Sequence, residues 1–349
     1  MHSSSPSPPV RLFGMRDAWA YARAMPRLAG MQRPKMKFTA LARISAMNVR
    51  DLPAMRRFTA SDGASLAYRT YAGPADRHLV LVHGSACFGD QFNYLASHLA
   101  SSGKATVHTL DMRGHGQSPP IGRDHERFAR DVGEFAAHLK DLPGNPTIVV
   151  GGHSAGGGLV VNVARSVYAA TVSGWLLFAP FLRVDSDTLR PYFGGWLSEV
   201  RRVPLAAIAF ANMLGITRFN DRIVAAFDRE ACIHDPRFVR EWSFASAFGF
   251  GPGPIPDRVH KRISSDTPVL LLSGRRDECF IAEKYAAALA PIAPHGEVRL
   301  FDGLGHWDTL VDENVLAACG QWLDEHFARS APDTATQPES APARVAAAR

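Results

Sequence analysis

Cysteine is scarce in this chain, and each one stands alone. Cys87, Cys232, Cys279 and Cys319 show no C-x-x-C spacing, which argues against a disulfide framework or a cysteine zinc site and for a reducing, cytoplasmic compartment. No apolar run reaches the roughly 18 residues of a membrane span. No uninterrupted hydrophobic stretch with a small-residue cleavage site marks a secretory signal, and no internal repeat is visible. Acidic residues are nearly missing from one end. Residues 1–60 hold eleven Lys and Arg against only Asp17 and Asp51, a balance of +9, whereas the whole chain of 349 residues carries +6. The remainder is therefore 3 units negative (9 less 6). A basic leader on a mildly acidic body does not make a nucleic-acid-binding domain.

What is present is a 46% hydrophobic composition, ample for a large core. Residues 1–54 read as a basic, poorly ordered leader, with Met36 as an alternative start. Residues 330–349, rich in Ala, Pro, Thr and Ser, read as a disordered tail. From Met55 the pattern is a hairpin around Ser61-Asp62-Gly63-Ala64, then strand, loop and helix in alternation. Leu79-Val80-Leu81-Val82, Ala105 to Leu110, Thr147 to Val150, Trp175 to Phe178, Pro268 to Ser273 and Glu297 to Phe301 supply the strands. Such alternation implies a mainly parallel sheet with right-handed crossovers. The expected core is 55–182 and 267–329. Between them, 183–266 lacks strand runs and reads as a helical cap. Its run from Val203 to Leu214, with Ile208 near the middle, is apolar nearly all round and is expected to be cap core roofing the site.

The chain is organised around Pro146 to Gly158, a β-branched run that stops at glycines and gives way to an apolar helical stretch. At the junction sits Gly152-His153-Ser154-Ala155-Gly156, a G-x-S-x-G elbow that lifts a serine hydroxyl above the sheet edge. Gly152 and Gly156 are expected there because a Cβ would collide in so sharp a turn. A serine hydroxyl needs an imidazole to take its proton, and the imidazole needs a carboxylate to hold its tautomer. Both lie after strands: Asp277 closes Ser273-Gly274-Arg275-Arg276-Asp277, and His306 lies in Gly303-Leu304-Gly305-His306-Trp307. Asp302, Asp308 and Asp185 stay open as the acid. Asp111, His115 and His153 read as structural, and the thiols of Cys87 and Cys279 have no activator.

Four motifs in order (His83-Gly84, Asp111 to Ser118, the elbow, and the Asp277/His306 pair) make residues 55–327 resemble the α/β-hydrolases of the monoacylglycerol lipase, lysophospholipase and serine-aminopeptidase-like group. The resemblance implies an α/β fold: a mostly parallel eight-stranded sheet with helices on both faces and a helical cap. It implies Ser154 as nucleophile, His306 as general base and Asp277 as the orienting acid. The backbone N–H groups of Ser85 and Ala155 would form the oxyanion hole, supported by His83 and Gly84. Asp277→Asn is then expected to cost less than losing Ser154 or His306. No cofactor or metal is called for. The implied partner is a small carboxylic ester with an apolar acyl chain, with peripheral membrane contact through leader or cap left open. Ala155 stands where acylglycerol-cleaving relatives often carry Met, and the cap matches no motif. Haloperoxidase-like, C–C bond hydrolase, acyltransferase and aminopeptidase activities would keep the same three residues; a non-catalytic ligand binder of this fold is the alternative outside enzymology.

Overall fold

The structure is a computed structural model and describes residues 41, 44, 45, 47, 51–251 and 263–327. Most of the leader and the tail 330–349 lie outside these. Of the leader's described residues, Leu41 and Ile44 are helical and buried in the main core. Their apolar side chains are an anchor that the basic composition around them hides.

One sheet of eight strands carries the core. Its strands are β1 (Met55–Thr59), β2 (Ser65–Tyr71), β3 (Arg77–Val82), β4 (Thr106–Leu110), β5 (Thr147–His153), β6 (Gly174–Phe178), β10 (Val269–Gly274) and β11 (Glu297–Phe301). The order is β1-β2-β4-β3-β5-β6-β10-β11. Only the β1–β2 hairpin and the β2–β4 pairing are antiparallel; the other neighbours run parallel. Leu79 to Val82 and Leu270 to Leu272 are buried throughout, as strands covered on both faces require. Helix α1 (Asn93–Ser101) packs beside α7 (Glu313–His326), while α2 (Arg127–Lys140) packs beside α3 (Ala155–Ala164), so helices cover both faces. In α2, Phe128, Val132, Phe135, Ala136 and Leu139 fall on one buried stripe at helical spacing. Asp312 starts α7 by accepting the N–H groups of Asn314 and Val315 with its carboxylate.

The insertion between β6 and β10 corrects the sequence reading in two ways. It is not purely helical: β7 (Leu197–Val200), β8 (Ile223–Phe227) and β9 (Glu241–Ser243) form an antiparallel three-stranded sheet. Strands of four, five and three residues, with a register shift in each of the two pairings, are too short to show an alternation. The helices α4 (Arg202–Met213) and α5 (Phe244–Phe250) accompany this sheet. Nor is α4 cap core all round. Leu205, Ile208 and Ala209 are buried, but Val203, Phe210 and Leu214 are 81%, 60% and 63% exposed. A short α6 (Tyr285–Leu289) completes the core.

Candidate active site

Strand β5 ends at His153 and α3 begins at Ala155, leaving Ser154 between them at φ 54°, ψ −120°. A positive φ on a serine is strained, at about 1–3 kcal/mol, and persists only where the surroundings enforce it. They do: Ser154 N–H donates to Phe178 O at 2.9 Å, and Ser154 O accepts Phe181 N–H at 2.8 Å. A Cβ on Gly156 would stand 2.2 Å from Val82 O, and one on Gly152 would stand 2.5 Å from Gly156 C, so the elbow closes only with glycine at both places. The turn after β3 comes equally near. A Cβ on Gly84 would lie 3.2 Å from that of Ser154. Among the described residues, the N–H groups of Ser85 and Ala155 have no protein acceptor.

Asp277 is buried and fixed. Its Oδ1 accepts the N–H groups of Cys279 and Phe280 at 2.7 and 2.8 Å, and its Oδ2 lies 2.9 Å from Nδ1 of the buried His306. The other candidate acids are engaged elsewhere: Asp302 with Arg275, Asp185 with Arg183, and Asp308 with the Gly305 N–H. The structure does not join Ser154 to His306 by a hydrogen bond. The link is indirect, since the His153 and His306 rings lie 4.5 Å apart. Such bonds are often long before substrate closes the site.

Several groups that the sequence did not single out hold these loops together. Gln91 Oε1 accepts Gly84 N–H at 3.3 Å, and its amide nitrogen lies 3.3 Å from His153 Nδ1. That leaves the proton on His153 Nε2, which donates to His306 O at 3.2 Å. Glu278 accepts the His306 N–H at 2.6 Å, and Thr309 Oγ1 donates to His306 O at 3.0 Å. No motif announces Gln91 or Glu278; only adjacency to Asp277 hinted at the second. His83 accepts Met112 N–H on Nε2 and donates from Nδ1 to Gly84 O, which supports the turn beside Ser85. Asp111 is structural, accepting the N–H groups of Gly89 and Gln117.

Burial sets the charge state of these groups. It raises the Glu278 carboxyl above the usual range and pushes the Cys279 thiol well up, so that thiol stays protonated. Among the described residues, Asp277, Cys279 and His306 could together approach one metal ion, but both oxygens of Asp277 are already occupied by N–H donors. Burial also holds His83 and His153 well below the ordinary imidazole range and brings His115 down to about 4. The unfolded chain, with imidazoles near 6.5, binds protons that the folded chain refuses. Stability is therefore complete above that value and falls on acidification, by up to about 1.4 kcal/mol per pH unit for each ring. Urea midpoints should drop steeply once the pH passes below about 6.5. A midpoint unchanged down to about pH 5 would mean that these rings take up protons in the folded state.

A cavity of ≈ 120 Å³ reaches Ser154. Ser85, Ser154 and Ala155 line it from the core, and Trp196, Leu205 and Trp242 are among the cap residues that roof it. Ile208, expected in that roof, instead packs inside the cap with Val224, Phe244 and Phe248. Leu205, one turn earlier, is the α4 residue that reaches the cavity.

The sequence profile of a family described as serine aminopeptidase, S33, matches residues 73–314, more than two thirds of the chain and all of the site just described. The chain belongs to the serine aminopeptidase S33 family. Within reach of this S33 member is a dihydrolipoyllysine-residue acetyltransferase component of an acetoin cleaving system from Cupriavidus necator. The two are 32% identical over 276 residues, 77% of this chain and 68% of that protein. A non-heme haloperoxidase from Rhodococcus erythropolis is 34% identical over 134 residues, 37% of this chain; the match spans under half, 46%, of that relative's length. Among solved structures, a monoglyceride lipase from Saccharomyces cerevisiae superposes with a TM-score of 0.62 at 20% identity, covering 80% of this chain and 97% of the other. The S33 chain thus has the α/β-hydrolase fold, and no helix among its described residues is long and apolar enough to cross a membrane.

Proposed function

We propose that the protein is a serine hydrolase of the lipase and esterase type, cleaving carboxylic esters with an apolar acyl chain through an acyl-enzyme on Ser154. The observation that carries this reading is the cavity: it meets Ser154 beside the N–H groups of Ser85 and Ala155, which have no acceptor among the described residues, and none of its described lining residues is charged. His306, oriented by Asp277, would take the serine proton as Oγ attacks the ester carbonyl, and would return it to the leaving alcohol. The two N–H groups would stabilise the developing oxyanion. Water would then release the acid by the same steps in reverse roles. An aminopeptidase would need a carboxylate near the cavity to hold a substrate ammonium, and the described lining residues offer none. The likeness in fold to a monoglyceride lipase is in keeping with an ester substrate.

A fluorophosphonate probe should label the wild-type protein at Ser154, and a folded chain that resists labelling would favour a ligand-binding role. With p-nitrophenyl esters of graded length, each methylene buried in the cavity contributes up to about 0.8 kcal/mol, or roughly fourfold in KM. Ala225, a lining residue on β8, offers a direct check. Ala225→Leu adds three heavy atoms to the cavity and should shorten the preferred chain by about three carbons while sparing acetate. An unchanged length profile would put the acyl chain elsewhere.

A further inference from the structure

Two of the tryptophans that wall the acyl cavity also grip the catalytic core through their indole N–H groups. Trp196 Nε1 donates to Ser85 Oγ at 2.8 Å, and Trp242 Nε1 donates to His115 Nε2 at 2.9 Å. His115 packs 4.9 Å from His83, the ring that braces Gly84.

The cap's hold on the turn after β3 continues residue by residue. Val239 N–H donates to Ala86 O at 2.9 Å. The Arg237 guanidinium, held by Asp235 at 2.7 Å, binds Asp90 at 2.7 Å and lies 4.1 Å from the centroid of the Phe88 ring. Ala86 stands at φ 65°, so this turn is strained at a residue that is not glycine and needs outside contacts to keep its shape. The cap supplies several of those contacts. On the core side, Gln91, Asp111 and Arg69 hold Gly84, Gly89 and Asp90.

We propose that Trp196 is a positioning residue for the oxyanion hole: through the Ser85 hydroxyl it aims the Ser85 N–H at the developing oxyanion, and because the same indole walls the cavity, acyl-chain binding and oxyanion stabilisation are coupled. The inference rests on the reading in which Ser85 supplies that N–H. An oxyanion donor acts only when it points at the position that the charge will occupy, and a small misplacement loses much of the effect. An acyl chain packed against the indole restrains the ring, the ring restrains Ser85, and longer chains therefore gain in kcat as well as in KM. Acetate, which leaves the cavity empty, gains neither.

The test compares full-length wild type, Trp196→Phe, Ser85→Ala and the double variant on p-nitrophenyl esters from acetate to decanoate, with melting temperature and fluorophosphonate labelling as controls. Phenylalanine keeps an apolar wall but cannot donate, so KM should still fall with chain length. kcat on the longest ester should drop about tenfold to a hundredfold, less than the loss of an oxyanion donor outright, and its rise with chain length should flatten. Ser85→Ala keeps its N–H and should show the same flattening, and the double variant should lose no more than either single, because both remove one bond. If Trp196→Phe folds and keeps wild-type kcat at every chain length, or if the two losses multiply, the coupling is absent. Should Trp196→Phe fail to fold, Ser85→Ala alone decides: an unchanged kcat profile overturns the proposal. Labelling keeps the two readings apart. A wild type that the probe does not label removes the serine-hydrolase reading itself, whereas a labelled wild type with an unaltered Trp196→Phe removes only this inference.

Discussion

Replacing Ser154 with alanine is expected to lower kcat for every ester by about a million-fold while leaving the fold intact. The first half follows from the proposed acyl-enzyme: without Oγ no covalent intermediate would form, and water would attack with help from the N–H groups of Ser85 and Ala155 only. The second half follows from the local bonds. Ser154 is held through its backbone, N–H to Phe178 O and C=O from Phe181 N–H, and alanine keeps both. Stability should change by less than about 0.5 kcal/mol. Ser154→Gly should be as inactive yet somewhat more stable than Ser154→Ala, because glycine accepts φ 54° without strain. His306→Ala is the less clean companion, since it removes the group that faces a buried carboxylate. More than a few per cent of wild-type turnover in Ser154→Ala would mean that the nucleophile is another group.

The core was legible because its signals are local. Leu79 to Val82 is a short run with no polar gap that stops at His83-Gly84, as a strand covered on both faces reads. The elbow is a contiguous five-residue pattern, although only the Gly152 collision lies inside the turn and that of Gly156 is with Val82 O on the neighbouring strand β3. The loop positions of Asp277 and His306 could be read from the strands before them, and the structure brings the two into contact. What the sequence hid depends on distant partners. The cap strands β7, β8 and β9 are short and borrow their order from one another. Leu41 and Ile44 look like part of a basic leader until the core surface that buries them is known. Gln91 and Glu278 act on backbone groups, which any polar side chain of the right reach could do, so no residue pattern marks them. Choosing Leu205 over Ile208 as the cavity residue required knowing which side of α4 faces inward, and an all-round apolar sequence cannot say.

Asp277→Asn should reduce kcat by about 10⁴-fold, and it should be no better than Asp277→Ala. The sequence alone suggests only that this loss is smaller than that of Ser154 or His306, because the imidazole can still act when its tautomer is right. The bonds around Asp277 bear on which tautomer it takes. Oδ1 accepts two backbone N–H groups, from Cys279 and Phe280, and only a carbonyl oxygen can take that place. Turning the amide round would set its NH₂ against both donors, at about 1–3 kcal/mol for each group left unsatisfied. The amide nitrogen must therefore face His306 Nδ1, and being a donor it forces Nδ1 to accept. The imidazole proton is then driven onto Nε2, the nitrogen that in the proposed mechanism receives the proton of Ser154. Alanine removes the orienting group but leaves the ring free to take either tautomer, so its penalty is the smaller or equal one. Steady-state kinetics of the two variants on one ester decide the matter. An asparagine variant that keeps more than about a tenth of wild-type kcat, while alanine does not, would mean that Asp277 holds the loop through Cys279 and Phe280 and does not set the tautomer of His306.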